Sequence, residues 1–391
     1  MKKKCLIIIP GIPFPPVDGH KLKIYNLIKI LSKKYDLHIV TISKTKLNEQ
    51  EQDFINTHSY KNAHFKLNLI GAGFRILKNI FSPTPFQVAY FTLNAVKKYL
   101  KVNTESDDLV IFNLVRTAGY LPLLKSKKIV FDMVDLLSKS YFKSGISTSS
   151  RLFRLIYKIE GKRLLAYERI VMRNSDLTLC VNNDDAIALK PYGDVIWLPN
   201  GVKDHLFDYQ EFDKKYKNSI VFFGAMFYQP NIDAVIWFDK YVMDHLNKDI
   251  TLYIIGARPS RQIINLANKR KNIIVTGFLE DPYIILNSCF AVIAPMQNGG
   301  GIQNKILEVM GMGKINILTS YGANPILGAK DKEHFFVEDN ALAMAERIND
   351  IFVSDENCRD IGAKAKQLIL DNYTWDAYEK KILAAFVKLD I

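Results

Sequence analysis

Long apolar runs are the first thing this 391-residue sequence lacks. No segment approaches 18 consecutive apolar residues, the length at which a membrane-spanning helix becomes the natural reading. The N-terminus imitates a signal peptide, with Met1-Lys2-Lys3-Lys4 ahead of Cys5-Leu6-Ile7-Ile8-Ile9. Its apolar stretch stops at Pro10-Gly11, short of the roughly 7–15 residues of an h-region, so a buried first strand is expected instead. Cysteine is scarce as well. Cys5, Cys180, Cys289 and Cys358 lie far apart without metal or pairing spacing, which reads as reduced thiols in a cytoplasmic protein. No helix-turn-helix, zinc-finger or RNA-binding sheet signature is present, so nucleic acid ranks last among partners.

Acidic charge is scarce in only one half. Residues 1–200 carry 31 Lys/Arg against 16 Asp/Glu, a net +15, whereas the remainder carries 22 against 24, a net −2. A basic half suits nucleic acid, an anionic membrane surface or a polyanionic substrate. The two halves therefore meet different partners.

What is present is the grammar of parallel α/β domains, twice. The length exceeds what a single core comfortably fills, and 48% apolar content argues for folded domains. Lys4 to Pro10 reads as a strand, followed by a Pro/Gly loop over residues 10–20, a helix over Lys21–Lys34 and a strand over Asp36–Ile42. Such sheets bind ligands in the loops at the carboxyl ends of their strands, so the loop ending at Gly19 is either a site or a proline-stiffened connector. Residues 44–105 read poorly. Lys66 to Phe81 is apolar and basic, the pattern of a segment lying on a bilayer or of an ordinary half-buried helix.

Strands follow at Asp108–Asn113 and Lys128–Val134. Asp132 and Asp135 close the second, where a carboxylate serves a ligand hydroxyl, a proton transfer or a helix cap. Lys139–Arg173 carries nine Lys/Arg against Glu160 and Glu168, and within it Glu160–Arg169 reads as a charged helix whose pattern continues through Met172. Asn200-Gly201 is a turn signal, and Lys203–Lys217 reads as an interdomain linker. The grammar then restarts: a strand at Ser219–Phe223, the loop from Gly224 to Asn231, and a helix over Asp233–Asn247. A strand into Gly256 has Arg258 in its loop, and another ends at Gly277. One long helical segment is expected over Cys358–Leu389.

The densest chemistry lies in Asn298-Gly299-Gly300-Gly301-Ile302-Gln303-Asn304-Lys305-Ile306-Leu307-Glu308, after the apolar run Cys289–Pro295. A strand, a glycine turn and a helix N-terminus make an anion site, because the backbone can approach a phosphate closely and the helix dipole favours negative charge. Lys305 adds a point charge, and Glu308 can accept hydrogen bonds from a sugar hydroxyl pair. The same stretch also reads as a tight turn without a ligand.

Taken in order, these features resemble the GT-B glycosyltransferases, and within them the retaining family 4 that uses nucleotide sugars. The resemblance rests on Gly19, Leu198-Pro199-Asn200-Gly201-Val202, Gly224-Ala225-Met226 with Pro230-Asn231, Ile255-Gly256, Val275-Thr276-Gly277-Phe278 and the stretch from Gly301 to Glu308. It implies two Rossmann-like doubly wound domains facing across a cleft. Residues 1–202 would bind the acceptor and 203–372 the nucleotide sugar, with a C-terminal helix over 373–391 packing back on the first. Glu308 matches the second glutamate of the family's E-x7-E motif, which implies contact with the ribose. Gly300 stands where the first glutamate usually stands, and Val134-Asp135 where many members have His-Asp. Met226, Phe227 and Tyr228 replace the basic residue often found after the glycine loop. The resemblance then assigns Arg258 and Lys305 to the diphosphate and Phe278 to the base. Gly19, Gly224, Met226, Gly277, Gly300, Gly301 and Ile302 complete the donor site, with Asp132 and Asp135 on the acceptor side. No Asp-x-Asp motif stands beside this loop, so no metal or other cofactor is expected. The expected partners are a nucleoside-diphosphate sugar, a lipid-linked glycan and the inner face of the plasma membrane. A nucleotide-sugar 2-epimerase of the same fold and a non-catalytic binding subunit are the alternatives.

Overall fold

The computed structural model describes residues 2–16, 18–104, 108–124, 127–148, 150–298, 301–354 and 358–390. The chain divides into two units, residues 1–200 with 379–391, and residues 201–378. The second boundary falls inside the helix Trp375–Lys388, six residues beyond the expected position at 373. Lys203–Lys217 is not a linker. It is part of the second unit, tied down where Val202 bridges Thr374 and where the Asp213 N–H donates to Ser288 Oγ at 2.8 Å.

The first unit is built on seven strands: β1 (Lys4–Ile9), β2 (Asp36–Ser43), β3 (Lys61–Lys66), β4 (Leu109–Asn113), β5 (Lys128–Val134), β6 (Leu177–Cys180) and β7 (Val195–Trp197). They form one parallel sheet in the order β3-β2-β1-β4-β5-β6-β7. Cys5 to Ile9 are fully buried. A sheet covered by helices on both faces needs such a continuous apolar strand rather than an alternating one.

The second unit repeats the plan with β8 (Ser219–Phe223), β9 (Thr251–Ile255), β10 (Ile273–Gly277), β11 (Ala291–Ala294), β12 (Asn316–Leu318) and β13 (Phe336–Val337). Their order is β10-β9-β8-β11-β12-β13, again all parallel. Both orders are doubly wound. Each reverses direction between its first and fourth strand, and the crevice at that switch point is where such sheets bind ligands.

Three stretches differ from the sequence reading. Residues 44–105 contain the edge strand β3 and four short helices, Glu49–His58, Leu69–Lys78, Phe86–Phe91 and Asn94–Asn103. The helix expected over Glu160–Met172 begins earlier, as Arg151–Arg173, started by Ser150, whose hydroxyl accepts from the Phe153 N–H, and a separate helix, Leu137–Ser147, precedes it. The C-terminal segment is also two, Cys358–Asn372 and Trp375–Lys388, and the break at Tyr373-Thr374 supplies the backbone that pairs with Val202. Among the described residues no helix is long and apolar enough to cross a membrane.

Candidate functional site

The switch point of the second unit lies between β8 and β11. After β8 the chain turns at Gly224, whose φ of +153° few side chains tolerate. Its carbonyl lies so close to Gly256 that a Cβ there would sit 1.7 Å from it. Two more backbone bonds zip this loop to the one after β9: the Met226 N–H donates to Ala257 O at 3.1 Å, and the Ser260 N–H to Met226 O at 3.2 Å. Met226 itself is buried, so its side chain serves the core. Arg258 is exposed, holds a left-handed φ of 51°, and stacks its guanidinium 3.9 Å from the Phe227 ring centre. A non-glycine residue in that region is uncommon and clusters at functional sites.

After β11 the chain passes Met296, whose carbonyl accepts from Thr319 Oγ1 at 2.6 Å, and reaches the helix Asn304–Gly311 through Gly301, at φ +81°. Gly299 and Gly300 lie outside the described residues. Ile302 is half-buried. Lys305 comes in the helix's first turn and reaches back across the crevice. Its ammonium donates to Asn231 Oδ1 at 2.9 Å and lies 4.2 Å from the Phe222 ring centre. A Cβ on Gly224 would come within 3.4 Å of the same nitrogen. Burial pushes the Lys305 pKa down to about 7, and among the described residues no carboxylate pairs with it. The cost of dehydrating a cation is thus left uncompensated by the protein.

One turn on, Glu308 is buried and accepts from the Tyr283 hydroxyl at 3.2 Å. Lys203 Nζ in turn lies 3.2 Å from the Tyr283 oxygen. Burial pushes the Glu308 pKa up, and Lys203 opposes the shift. Gly277 ends β10 at φ +72°, and Phe278 beside it is an exposed ring. Of the expected donor residues, the structure thus brings Lys305 against Gly224 and places Glu308 one turn away on the same helix. Arg258 and Phe278 stand on the loops that follow the two neighbouring strands, β9 and β10.

The first unit's switch point, between β1 and β4, is filled differently. Gly19 opens the helix Gly19–Ser32 beneath the Asp18 cap, and its carbonyl accepts from Asn200 Nδ2 at 3.2 Å, within this unit. His20 Nε2 lies 2.7 Å from Asn113 Oδ1 at the end of β4. Asn113 Nδ2 donates to Asp132 Oδ2 at 2.9 Å, and Lys23 pairs with Asp132 Oδ1. Lys23 and Asp132 are fully buried. Asp132 therefore has both oxygens engaged and sits below the surface, where it can position groups but not meet a substrate hydroxyl. Asp135 is open to solvent. The protein around its carboxyl, and then Asp185, push its pKa up. Leu114 and Val134, at the ends of β4 and β5, hold left-handed φ values of 60° and 59°, strain that concentrates at this end of the sheet.

His20, Lys23, Asn113, Lys203 and Tyr283 carry no expected role in the sequence, and Asn231 enters there only within the Pro230-Asn231 motif. Lys23 carried a usable signal. It interrupts the apolar face of its helix between Leu22 and Ile24, and a lysine there needs a buried partner.

Comparison with known proteins bears on this geometry. Residues 217–353 match the model of the family described as "Glycosyl transferases group 1". That matched span lies wholly within the second unit. An uncharacterised 44.6 kDa protein of the cps region of Klebsiella pneumoniae is 22% identical over 400 residues, spanning 98% of this chain and 99% of that one. Two solved structures share the architecture over nearly the whole chain. Anabaena Alr3699/HepE in complex with UDP superposes with a TM-score of 0.69 at 12% identity, covering 99% of this chain and 100% of its own. Sucrose-phosphate synthase from Thermosynechococcus elongatus gives 0.71 at 12% identity, covering 99% of both. At that identity the likeness shows the fold, a pair of Rossmann-like domains of GT-B type. Lys305, Glu308, Gly224, Arg258 and Phe278 all lie inside the matched span.

Proposed function

We propose that the protein is a retaining, family 4-type glycosyltransferase that moves a sugar from a nucleoside-diphosphate sugar to a lipid-linked glycan during assembly of a cell-surface polysaccharide. The observation that carries this reading is Lys305, a cation at a switch point with depressed pKa and no carboxylate partner among the described residues. Such a group is completed by an incoming anion, and a nucleotide diphosphate supplies one.

In this reading the anomeric C–O bond of the donor breaks, negative charge collects on the departing diphosphate, and the acceptor oxygen bonds to the anomeric carbon as its O–H bond breaks and the proton passes to an acceptor-side base. Lys305 and Arg258 stabilise the diphosphate as its charge develops, together with the N–H groups around Gly300 and Gly301. Glu308 accepts hydrogen bonds from the ribose hydroxyls, and the exposed face of Phe278 receives the base. Gly224, Gly277, Gly301 and Ile302 let backbone approach the nucleotide, and Met226 holds the first of these loops in the core. On the acceptor side, Asp135 is the carboxylate open to a hydroxyl, and His20, held by Asn113, takes the acceptor-side role expected of Asp132. The cations do the work of a metal, so the reaction is metal-independent.

Several observations support this reading: the group 1 domain, the cps-region relative, and the complexes in which HepE was solved with UDP and with UDP-glucose. The four buried free cysteines favour a cytoplasmic location. The test is thermal stabilisation by a panel of nucleoside diphosphates and nucleotide sugars, with and without a chelator. At least one should raise Tm in the native protein but not in Lys305→Ala. A panel without effect would remove the reading. Conversion of a nucleotide sugar without any acceptor would replace transfer by epimerisation. Binding with neither hydrolysis nor transfer to membrane extracts would make the protein a binding subunit.

A further inference from the structure

The first unit carries a surface that its own fold does not explain. Along the helix Leu69–Lys78, Ile70, Phe74 and Leu77 recur at spacings of four and three, which is one helical face. That face points to solvent: Ile70 is 74% exposed, Phe74 69% and Leu77 62%, and Phe81 in the turn beyond is 99% exposed. The opposite side holds the helix down. Ala72 is buried, and Arg75 reaches inward to donate to Ala89 O and Tyr90 O at 3.2 and 2.8 Å. An amphipathic helix with its apolar stripe facing outward is the reverse of the usual arrangement.

A second stripe runs along the first half of the helix Arg151–Arg173. Leu152, Leu155, Ile156 and Ile159 share one face and are all exposed. The two stripes belong to one surface. Arg163 lies one turn beyond Ile159 on the same line, donates to the carbonyl of Ile80, and stacks 4.9 Å from the Phe86 ring centre. The turn that ends the first stripe is therefore docked where the second stripe ends. A patch this extended and apolar on a monomer marks an interaction site.

Charge says what covers it. Residues 59–104 contain seven Lys/Arg and no Asp or Glu, and residues 136–159 contain five Lys/Arg and again no acid. Glu160, the first acid after that run, is buried and accepts from the Gln87 N–H. Lys78, Arg151, Arg154, Lys158 and Lys162 are exposed beside the stripes. Large apolar side chains on segments that carry cations and no carboxylates complement an anionic bilayer: rings and leucines enter the acyl boundary while cations meet the headgroups. A self-complementary interface between two copies would place these cations against one another.

We infer that this two-helix face docks the protein on an anionic lipid surface, with Phe74, Leu77 and Phe81 and the Leu152–Ile159 stripe inserted. The inference stands on this surface alone and does not depend on the transfer reaction.

Flotation with phosphatidylglycerol/phosphatidylcholine vesicles tests it. The native protein should float with them, remain behind with pure phosphatidylcholine, and lose binding at high salt. Phe74→Ser with Phe81→Ser, and separately Leu152→Ser with Ile156→Ser, should each weaken partitioning by tenfold or more, on the order expected for two lost apolar anchors. Arg151→Gln with Lys158→Gln and Lys162→Gln should weaken it by about fivefold per cation. These side chains are exposed, so an unchanged Tm shows that each variant folds. A Phe81→Trp variant adds a direct readout, a blue shift of its indole emission on adding anionic vesicles. The inference is overturned if the native protein does not float. It is equally overturned if binding survives all three sets of substitutions, or if the emission of the Phe81→Trp variant does not move. A native dimer that the serine variants dissociate, without vesicle binding, would assign the face to a second copy instead.

Discussion

The two units place polar groups at the same point of the same topology, between the first and fourth strands, and treat charge there in opposite ways. In the first, Lys23 is neutralised by Asp132, whose other oxygen is held by Asn113, which in turn meets His20. In the second, Lys305 has an amide oxygen and a ring face for company, with burial pushing its pKa down to about 7. A buried charge with its partner in place is part of the structure. A half-buried cation without a counter-ion carries a desolvation cost that no carboxylate among the described residues offsets. The fold is common to both; what differs is whether the protein itself supplies the opposite charge.

That contrast breaks most sharply at Asp132. Asp132→Ala leaves Lys23 fully buried without a counter-charge, and such single removals cost about 3–5 kcal/mol. Urea unfolding should show the loss, and the double change Lys23→Met with Asp132→Leu should recover most of it. A single variant within about 1 kcal/mol of the native protein would mean the pair is not what holds this end of the sheet.

Lys305→Met should do the reverse. Removing a cation that the free protein carries at a desolvation cost should leave the unliganded Tm unchanged or raise it. The same variant should lose roughly 2–3 kcal/mol of nucleoside-diphosphate binding, the worth of a hydrogen bond to a charged group together with its ion pairing. Calorimetric titration and thermal unfolding measure both sides. A variant that unfolds more easily and binds the nucleotide normally would place Lys305 with Lys23, as structure.

The fold was legible from the sequence because buried parallel strands are written as unbroken apolar runs ending in glycine, as at Ile7-Ile8-Ile9-Pro10-Gly11 and Val221-Phe222-Phe223-Gly224. The crevice of the second unit was legible for a related reason, since Gly224, Gly301, Lys305 and Glu308 lie close in sequence to the strand ends that present them. The first unit's network was not. His20, Asn113 and Asp132 lie on three separate elements, and only the parallel register of β1, β4 and β5 brings them side by side. Residues 44–105 failed for another reason. Their helices are short, and the Leu69–Lys78 stripe faces outward, so periodicity marked a helix face without saying which medium it meets.

The pH dependence of binding sharpens the comparison with a smaller effect. Lys305 has its folded pKa lowered to about 7, so above pH 7 the free site is progressively uncharged, while a bound diphosphate favours the charged form. Nucleotide binding should therefore take up a proton, and affinity should fall by up to about tenfold per pH unit above 7. Calorimetry in buffers of different ionisation enthalpy reads the uptake directly. The sign for the empty protein is opposite. The unfolded lysine keeps its proton to about pH 10.4, so the unfavourable contribution of this group is relieved as pH rises from 7 towards 10. Affinity that does not change between pH 7 and 8.5 would remove Lys305 from the binding charge.

The smallest effect on stability and nucleotide binding is expected at His20, the half-exposed end of the first unit's chain of hydrogen bonds. His20→Ala removes one bond to Asn113 but leaves the Lys23–Asp132 pair and the Asn113–Asp132 bond intact. Its cost in stability should be about 0.5–1.5 kcal/mol, and nucleotide binding should not change. Turnover separates the two ways of reading this end of the sheet. If the first switch point is only internal charge compensation, the acceptor kcat follows the small stability change and stays near native. If His20 is the group that this network presents to an acceptor hydroxyl, kcat falls by the 10²–10⁴-fold typical of a lost acid–base group while the donor KM holds. The second outcome is expected. His20 is the network member with both a titratable ring and open surface, and Lys23 and Asp132 are sealed beneath it.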